Sequence, residues 1–257
     1  VVPTLLSNMF NLANGGSADY AGMTFTGDSF YAVVLGISSV FVAIVSPVLG
    51  AIADRMPIKK KILKVYTVVG ILFTGLMGLA PYMDDSSSYK FLAICLIMGN
   101  IGFAGGHAIY SAFLPYLGDR RLMDHISSWG YAYGFLGGCI LLTVHLAVGL
   151  RFGFEDPDVQ CFVFVTSALW WLGFSVPMFR NTPEPEIPNP TEYPNVFEAV
   201  KDGLREIKST VLEIRRYKVL RLVMCGYWLF YDGVNALGGV AAAYADSVLR
   251  IDFTMKF

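Results

Sequence analysis

Residues 30–64 read FYAVVLGISSVFVAIVSPVLGAIADRMPIKKKILK. The first two thirds of this stretch, Phe30–Ala53, contain no charged residue, and a cluster of basic residues follows directly. A helix needs roughly 20 apolar residues to cross the hydrocarbon core of a bilayer, so the run predicts a transmembrane helix. The basic cluster behind it predicts a cytoplasmic connection, because Lys and Arg are enriched in cytoplasmic loops.

Five further long apolar stretches, and a shorter one at the start, repeat this pattern along the 257 residues. Only 15% of the residues are charged, against about 25% in soluble domains, and the mean hydropathy is +0.55. These features predict an all-α fold, a polytopic membrane helix bundle in a lipid bilayer. The predicted spans are Phe30–Ala53, Ile62–Tyr82, Tyr89–Leu117, Ile126–Leu150, Val159–Phe179 and Val219–Val248, and Val1–Ala13 is predicted to be the end of an earlier span.

Positively charged residues fall on alternate connections between the predicted spans. Fifteen of the 19 Lys and Arg residues lie in three connections, at residues 55–64, 120–121 and 180–221. The rest of the chain contains only four. Because Lys and Arg accumulate on the cytoplasmic side of membrane proteins, we predict that these three connections face the cytoplasm and that the others face outward.

The short motifs of enzymes and metal sites do not occur in this sequence. The four cysteines lie singly in apolar runs, without a Cys-x-x-Cys pair or a His at ligand spacing. There is no nucleophile elbow, phosphate-binding loop, zinc-protease motif or dinucleotide fingerprint. The sequence therefore predicts no enzyme activity, no metal and no cofactor. Topology explains the basic connections, so they predict no nucleic-acid partner.

One long connection divides the chain. Its first part is rich in proline, at residues 183–190, and proline cannot continue a helix. Its second part, from Val196 to Arg215, has apolar residues at three- and four-residue spacing with Lys and Arg between them, which predicts an amphipathic helix. This helix either lies along the membrane face and joins two bundles, or regulates the protein by binding a partner. We predict a transmembrane bundle at 1–180, a cytoplasmic linker at 181–218 and the first helix of a second bundle at 219–257.

An acidic residue, Asp232, lies near the middle of the last predicted span. Insertion scales assign a carboxylate at this depth a cost of about 2.5–3.5 kcal/mol, unless it is neutral, paired or in contact with water. Trp228, Tyr231 and Asn235 fall along the same helical stripe. We predict that these four residues form a substrate or proton site, and a structural hydrogen bond to a neighbouring helix is the alternative.

A second polar stripe lies in the span Tyr89–Leu117. Asn100, His107 and Ser111 recur along one side of this helix, with Tyr110 alongside. A His inside a membrane span binds a ligand or relays protons in some proteins, whereas in others it only donates a hydrogen bond across a helix interface. We include these four residues in the candidate substrate or proton site, with the structural role as the alternative.

Glycines recur at four-residue spacing in two of the predicted spans. Gly102 and Gly106 lie in one, and Gly130, Gly134 and Gly138 lie in the next. Small residues at this spacing let the backbone of another helix approach closely. We predict close helix packing along both stripes.

The connection after the first full span has a recognisable pattern, GAIADRMPIKK, over residues 50–60. It resembles the loop between the second and third helices of the major facilitator superfamily, with Pro57 in place of the loop's second glycine. The resemblance implies that Asp54 and Arg55 form a charge network that holds two halves of a transporter together until the inner side opens. The residues of this conformational-switch loop are Gly50, Asp54, Arg55, Lys59 and Lys60.

Three further stretches are similar to one branch of that superfamily, the autophagy-related vacuolar amino-acid effluxers and their prokaryotic relatives. They are YSAFLP at residues 110–115, ISSWGYAYGFLGG at 126–138 and YDGVN at 231–235. Such transporters contain two bundles of six helices. The resemblance implies a major-facilitator-like fold, of which this chain is about half.

The same resemblance implies a secondary active transporter that works by alternating access. Its substrate would be an exported amino acid or another small polar solute, with protons as a coupling partner at Asp232. The protein would be a multi-pass protein of the plasma membrane in a prokaryote, or of the vacuolar membrane in a eukaryote. Two alternatives stay open: a transporter-like membrane sensor that binds a ligand without flux, and a membrane scaffold.

Overall fold

The computed structural model describes residues 2–20, 23–118, 121–187, 193 and 196–247. Within these ranges the side chains of residues 3, 4, 20, 23, 85, 196, 232 and 235–247 are not described. Helices form nearly all of the regular structure. They are α1 (Val2–Asn14), α2 (Gly27–Ala53), α3 (Lys59–Leu76), α4 (Asp85–Ser111), α5 (Met123–Phe152), α6 (Pro157–Asn181), α7 (Val196–Ile214) and α8 (Lys218–Ser247), with short 3-10 helices at Met77–Tyr82 and Leu114–Tyr116.

The predicted membrane bundle is confirmed. Five helices in the described part of the chain are long and apolar enough to cross a membrane. The predicted span Val219–Val248 corresponds to α8, whose 30 residues are also long enough to cross. Apolar side chains cover much of the outer surface of these helices, as expected where lipid is the solvent. The five helices are Gly27–Ala53, Lys59–Tyr82, Ser86–Tyr116, Met123–Phe152 and Pro157–Asn181.

One small sheet adds to the helical fold. Strands β1 (Ala18–Tyr20) and β2 (Met23–Phe25) pair antiparallel between α1 and α2. The Thr24 hydroxyl donates a hydrogen bond to the Asp19 carboxylate, 2.6 Å away. Strands of three residues are too short to show the two-residue alternation that predicts a strand, so no pattern in the sequence indicates them.

Among the described residues, one packed core lies between α1, α2 and α4, with Met77, Ala80 and Phe164 also buried in it. Leu6 and Phe10 of α1 are fully buried. The Phe10 ring stacks on Phe30 of α2 at a centroid distance of 4.7 Å and meets Tyr89 of α4 edge-on at 5.5 Å. Aromatic pairs in these geometries stabilise by about 0.5–1.5 kcal/mol beyond the area that they bury. This cluster holds the first helices together at the side of the bundle predicted to face outward.

Glycine sets the close contact between α3 and α4. A Cβ atom at Gly102 would overlap the backbone of Gly70, so the two helix backbones are in direct contact there. This confirms the packing predicted for Gly102. At Gly130, Gly134 and Gly138 no described atom lies within 4 Å of a Cβ position, so close packing along that stripe stays a prediction.

A tight turn holds α5 beside α6 at the outward side. Gly153 adopts a positive φ of 98°, a conformation that side chains disfavour. Pro157 begins α6, where its missing N–H costs nothing. The Asp156 carboxylate caps the helix by accepting a hydrogen bond from the backbone N–H of Asp158, at 2.8 Å. The turn makes α5 and α6 antiparallel neighbours, and both helices line a cavity that α3 and α4 close on the other side.

Candidate substrate cavity and switch loop

A cavity of about 920 Å³ lies between α3, α4, α5 and α6. Its volume is within the range of roughly 300–1,000 Å³ that is typical of small-molecule sites. Eight of its 17 lining residues carry an aromatic ring, and among the described residues that line it none is Asp, Glu, Lys or Arg. We call it the aromatic cavity. It is lined by Leu63, Thr67, Phe103, Gly106, His107, Tyr110, Tyr133, Gly134, Leu136, Gly137, Ile140, Trp170, Trp171, Phe174, Ser175, Met178 and Phe179.

Two of the predicted site residues, His107 and Tyr110, lie in the wall of this cavity. Both belong to α4, and both side chains are exposed to the open space. The Phe103 ring lies nearly parallel to the His107 imidazole at 6.5 Å and meets Trp171 of α6 edge-on at 6.2 Å. Together with Tyr133 of α5, which also lines the aromatic cavity, His107 and Tyr110 provide a few polar groups among apolar ones. Such an arrangement suits a small ligand with an apolar part and a polar end.

The structure places Ser111 outside the lining of the cavity. Its hydroxyl donates a hydrogen bond to the backbone carbonyl of His107, one turn earlier in α4, at 2.9 Å. Ser111 therefore bonds to its own helix and does not contact the His107 imidazole through this hydrogen bond.

Asn100 lies at a helix interface, away from His107. Its amide donates a hydrogen bond to the Ser38 hydroxyl of α2 at 2.7 Å. Ser38 is completely buried and donates in turn to the backbone carbonyl of Leu35 at 2.8 Å. The buried Ser38 hydroxyl thus both accepts and donates a hydrogen bond, as buried polar groups require. Asn100 and His107 thus share a helix but occupy different environments in this structure.

Of the predicted site residues of α8, the two with described side chains, Trp228 and Tyr231, are not among the described residues that line the aromatic cavity. Trp228 and Tyr231 are 74% and 51% exposed, and the Tyr231 ring stacks on Tyr227 of the same helix at 5.7 Å. The side chains of Asp232 and Asn235 lie outside the described part of the structure. The substrate or proton site on α8 therefore stays a prediction.

The switch loop, residues 50–60, contains a buried cation. Lys59 is 2% exposed, and its ammonium lies 2.8 Å from the carboxylate of Asp54, which is 66% exposed. The ammonium also donates to the Tyr116 hydroxyl at 3.2 Å and lies 4.7 Å from the centre of that ring. These contacts connect the ends of α2 and α3 to the 3-10 helix that follows α4. Gly50 is free of any described neighbour within 4 Å of a Cβ position.

Arg55 binds the amphipathic helix α7. Its Nε lies 2.8 Å from the Glu206 carboxylate, and a second nitrogen lies 3.7 Å from Asp202. The hydrogen bond to Glu206 raises the pKa of the Arg55 guanidinium above its usual range. All three side chains are more than a third exposed, so each ion pair stabilises by less than about 1 kcal/mol. These contacts fix the position of α7 relative to the switch loop and add little to the stability of the fold.

Lys60 binds the proline-rich part of the linker. Its backbone N–H lies 3.0 Å and 3.2 Å from the two carboxylate oxygens of Glu184. Its ammonium donates to the backbone carbonyl of Thr182 at 2.7 Å. The switch loop is thus bonded to the start of the linker as well as to α7.

A glycine allows α7 to pack against the end of α2. A Cβ atom at Gly203 would lie 3.3 Å from the backbone carbonyl oxygen of Val48 and 3.4 Å from a methylene carbon of Ile52. Ala199, one turn earlier in α7, is buried. The side of α7 that carries Ala199 and Gly203 therefore lies against the last two turns of α2.

Sequence reasoning missed several residues of these two regions. The aromatic residues of α6, Trp170, Trp171 and Phe174, line the cavity, but rings in an apolar span also suit lipid contact, so nothing in the pattern singled them out. Glu184 and Glu206 are the partners of Lys60 and Arg55. They lie more than 100 residues from those partners in sequence. The only available signal was that the linker and the switch loop were both predicted to lie on the cytoplasmic side.

The comparisons with known proteins agree on one family. The sequence model of the family described as "Vacuole effluxer Atg22 like" matches residues 14–255. The chain is 26% identical over 233 residues to the uncharacterized MFS-type transporter YxiO of Bacillus subtilis, covering 86% of this chain and 50% of that protein.

Fungal relatives match over a shorter region. The chain is 24% identical over 142 residues to autophagy-related protein 22 of Yarrowia lipolytica, covering 49% of this chain and 24% of that protein. It is 23% identical over 138 residues to autophagy-related protein 22-1 of Penicillium rubens, with similar coverage. The chain therefore spans about half the length or less of these curated relatives. No solved structure matches it significantly.

Proposed function

This chain belongs to the family of Atg22-like vacuole effluxers, and we propose that it is part of a secondary active transporter that works by alternating access. In this proposal residues 1–180 form one bundle, residues 181–218 form the cytoplasmic linker and residues 219–257 begin a second bundle. The observation that supports it most directly is the aromatic cavity of about 920 Å³ inside a bundle of membrane helices.

We propose an amino acid or another small polar solute as the exported substrate. The name of the matching family describes effluxers, and the cavity offers a hydroxyl and an imidazole, from Tyr110 and His107, among aromatic rings. Apolar walls would contact an apolar side chain, whereas the few polar groups would orient the polar end. Trp228, Tyr231 and Asn235 belong to the proposed site through their stripe on α8.

Proton coupling is assigned to Asp232 in this proposal. A carboxylate at mid-depth in a membrane span is stable when it is neutral, paired or in contact with water. A cycle of protonation and deprotonation would link its charge to the two states of the carrier. Its position near the middle of the predicted span Val219–Val248 supports this role.

The switch loop supplies the conformational part of the mechanism. Arg55 and Lys60 bond to the linker, and Lys59 bonds to Asp54. We propose that these contacts hold the cytoplasmic ends of the helices in one arrangement and separate when the other side of the carrier closes. Because the ion pairs of Arg55 are weak individually, they can break and reform during a transport cycle.

Transport in vesicles tests this function. The full-length protein that contains this chain is reconstituted into liposomes and given a panel of labelled amino acids, with and without a proton gradient. Saturable flux that falls in the His107→Ala and Trp171→Ala variants supports the proposal. Ligand-induced thermal stabilisation without flux would instead indicate a sensor. If neither appears and Asp232→Leu is as stable as the parent or more so, the protein is a scaffold.

A further inference from the structure

Helix α7 has a second face that the contacts with the switch loop do not use. Ala199 and Gly203 lie against α2, and at 100° per residue Arg205 and Lys208 project from the opposite side of the helix. Both are exposed, as is Arg216 just after the helix. None of these three cations forms a salt bridge with any residue that the structure describes.

These cations surround a shallow cleft. The cleft has a volume of about 520 Å³ and is lined by Arg205, Lys208, Ser209, Leu212, Glu213 and Arg216. It therefore contains three positive charges and one negative charge, together with a hydroxyl that can donate to an anion. Guanidinium and ammonium groups in such a cluster match the geometry and charge of a phosphate group.

Apolar side chains accompany the cations on this face. Leu212, which is 51% exposed, lies in the cleft itself, and Leu204, Val211 and Phe197 flank it with half or more of their surface exposed. A partner held by charge alone would not need exposed apolar side chains beside the cations. An interfacial helix needs such side chains, because it inserts them between acyl chains while its Lys and Arg contact headgroups.

The topology places this face at the level of lipid headgroups. The linker that contains α7 connects α6, which ends at Asn181, to α8, which begins at Lys218. The helix packs beside Val48 and Ile52, in the last two turns of a membrane span. It is therefore held at the membrane surface on the side predicted to be cytoplasmic, where anionic lipids give the leaflet a negative potential.

From these observations we infer that the cleft of Arg205, Lys208 and Arg216 binds the phosphate headgroup of an anionic phospholipid of the cytoplasmic leaflet. The apolar residues of α7 contact the acyl chains of the same lipid. The inference is independent of the transported substrate. It assigns α7 two faces, one bonded to the switch loop and the other to lipid, so the local lipid composition acts on the element that contacts Arg55.

The test uses the full-length protein in a neutral maltoside detergent. Its melting temperature is followed by tryptophan fluorescence during titration with short-chain phosphatidylglycerol, with phosphatidylcholine of the same chain length, with inorganic phosphate or with a polyglutamate peptide. The matched variants remove three positive charges each. The cleft variant is R205Q/K208Q/R216Q. The control variant is K61Q/K64Q/R180Q, which changes exposed cations at the start of α3 and the end of α6, on the same predicted cytoplasmic side.

Phosphatidylglycerol is expected to raise the melting temperature of the parent at concentrations at which phosphatidylcholine has no effect. Each basic residue near an anionic surface contributes about fivefold to binding, so the cleft variant should require roughly a hundredfold more lipid. The single variant K208Q should require about fivefold more, which keeps the test valid if the triple variant does not fold. The control variant should respond like the parent. R205K/R216K keeps the three positive charges but loses the guanidinium geometry, so it should retain more of the response than the cleft variant and less than the parent.

Three results would overturn the inference. In the first, the cleft variant responds to phosphatidylglycerol as the parent does. In the second, inorganic phosphate stabilises the parent as well as the lipid does, which indicates a free-anion site. In the third, polyglutamate stabilises the parent more than the lipid does, which indicates an acidic protein partner for this face.

Discussion

The contact between α3 and α4 allows a sharp prediction at a single atom. In Gly102→Ala the new methyl group would lie 2.7 Å from the Tyr66 carbonyl oxygen and even closer to the backbone of Gly70. These are backbone atoms, so no side-chain rotation relieves the overlap. The helices have to separate by roughly 0.5–1 Å, which forfeits between a quarter and a half of each contact's attraction.

The cost follows from the number of contacts in this interface. About 40 atom pairs at about 0.15 kcal/mol each lose about 2 kcal/mol if a third of the attraction is lost. That agrees with the cost of about 1–3 kcal/mol for overpacking a tightly packed site. Alanine is also the better helix former, by about 1 kcal/mol in a helix interior, so we expect Gly102→Ala to destabilise the protein by about 1 kcal/mol net.

The measurement is unfolding of the full-length protein in mixed micelles, with two matched controls. At Gly106 a methyl group meets Tyr66 Cβ at 3.5 Å, an ordinary contact, and at Gly130 it meets nothing within 4 Å. Both control variants gain the same helix propensity without the overlap, so they should be as stable as the parent or slightly more stable. A Gly102→Ala variant within 0.5 kcal/mol of the parent would refute the close packing of α3 and α4.

Three further predictions concern the switch loop and the last helix. Charge reversal at Arg55 or at Glu206 should weaken the attachment of α7. The double reversal should restore about 0.5–1 kcal/mol of the free energy of unfolding at low salt, measured in a double-mutant cycle, and almost none near 1 M salt. Asp54→Asn should destabilise the protein by about 2–3 kcal/mol, because it leaves the buried Lys59 ammonium without its carboxylate. Lys59→Met should cost under about 1 kcal/mol, because the Asp54 carboxylate that remains is exposed. Equal losses of stability for the two variants in thermal unfolding would contradict this reasoning. Asp232→Asn should abolish proton-dependent uptake while leaving exchange of labelled substrate, and unchanged proton-dependent uptake would remove this residue from the coupling role.

The membrane spans could be predicted from the sequence because lipid permits few solutions. A helix satisfies its own backbone hydrogen bonds, so apolar runs of sufficient length become helices whatever surrounds them. The run Phe30–Ala53 accordingly ends where α2 ends. The pairing of β1 with β2 depends on a few backbone hydrogen bonds outside the spans, and no pattern of apolar residues predicts those.

The candidate site was harder to predict because its parts come together only in three dimensions. Polar residues in an apolar span attract notice, and His107 and Tyr110 were identified in this way. The bond between Asn100 and Ser38 depends on the rotation of α4 against α2, which the polar stripe did not specify. Carboxylates such as Glu206 carry little topological signal, since the positive-inside rule counts only Lys and Arg. Their pairing with the switch loop therefore required the structure.

The most direct test of the transport proposal is substrate counterflow. Liposomes that contain the full-length protein are loaded with unlabelled amino acid, and the entry of labelled amino acid is measured with no ion gradient. A carrier with alternating access exchanges the two, so we predict a transient accumulation of label. The initial rate of label entry should fall at least tenfold when Trp171 and His107 of the aromatic cavity are replaced by alanine, a loss of roughly 1.4 kcal/mol or more in transition-state stabilisation. Binding of the amino acids without any counterflow would contradict the proposal.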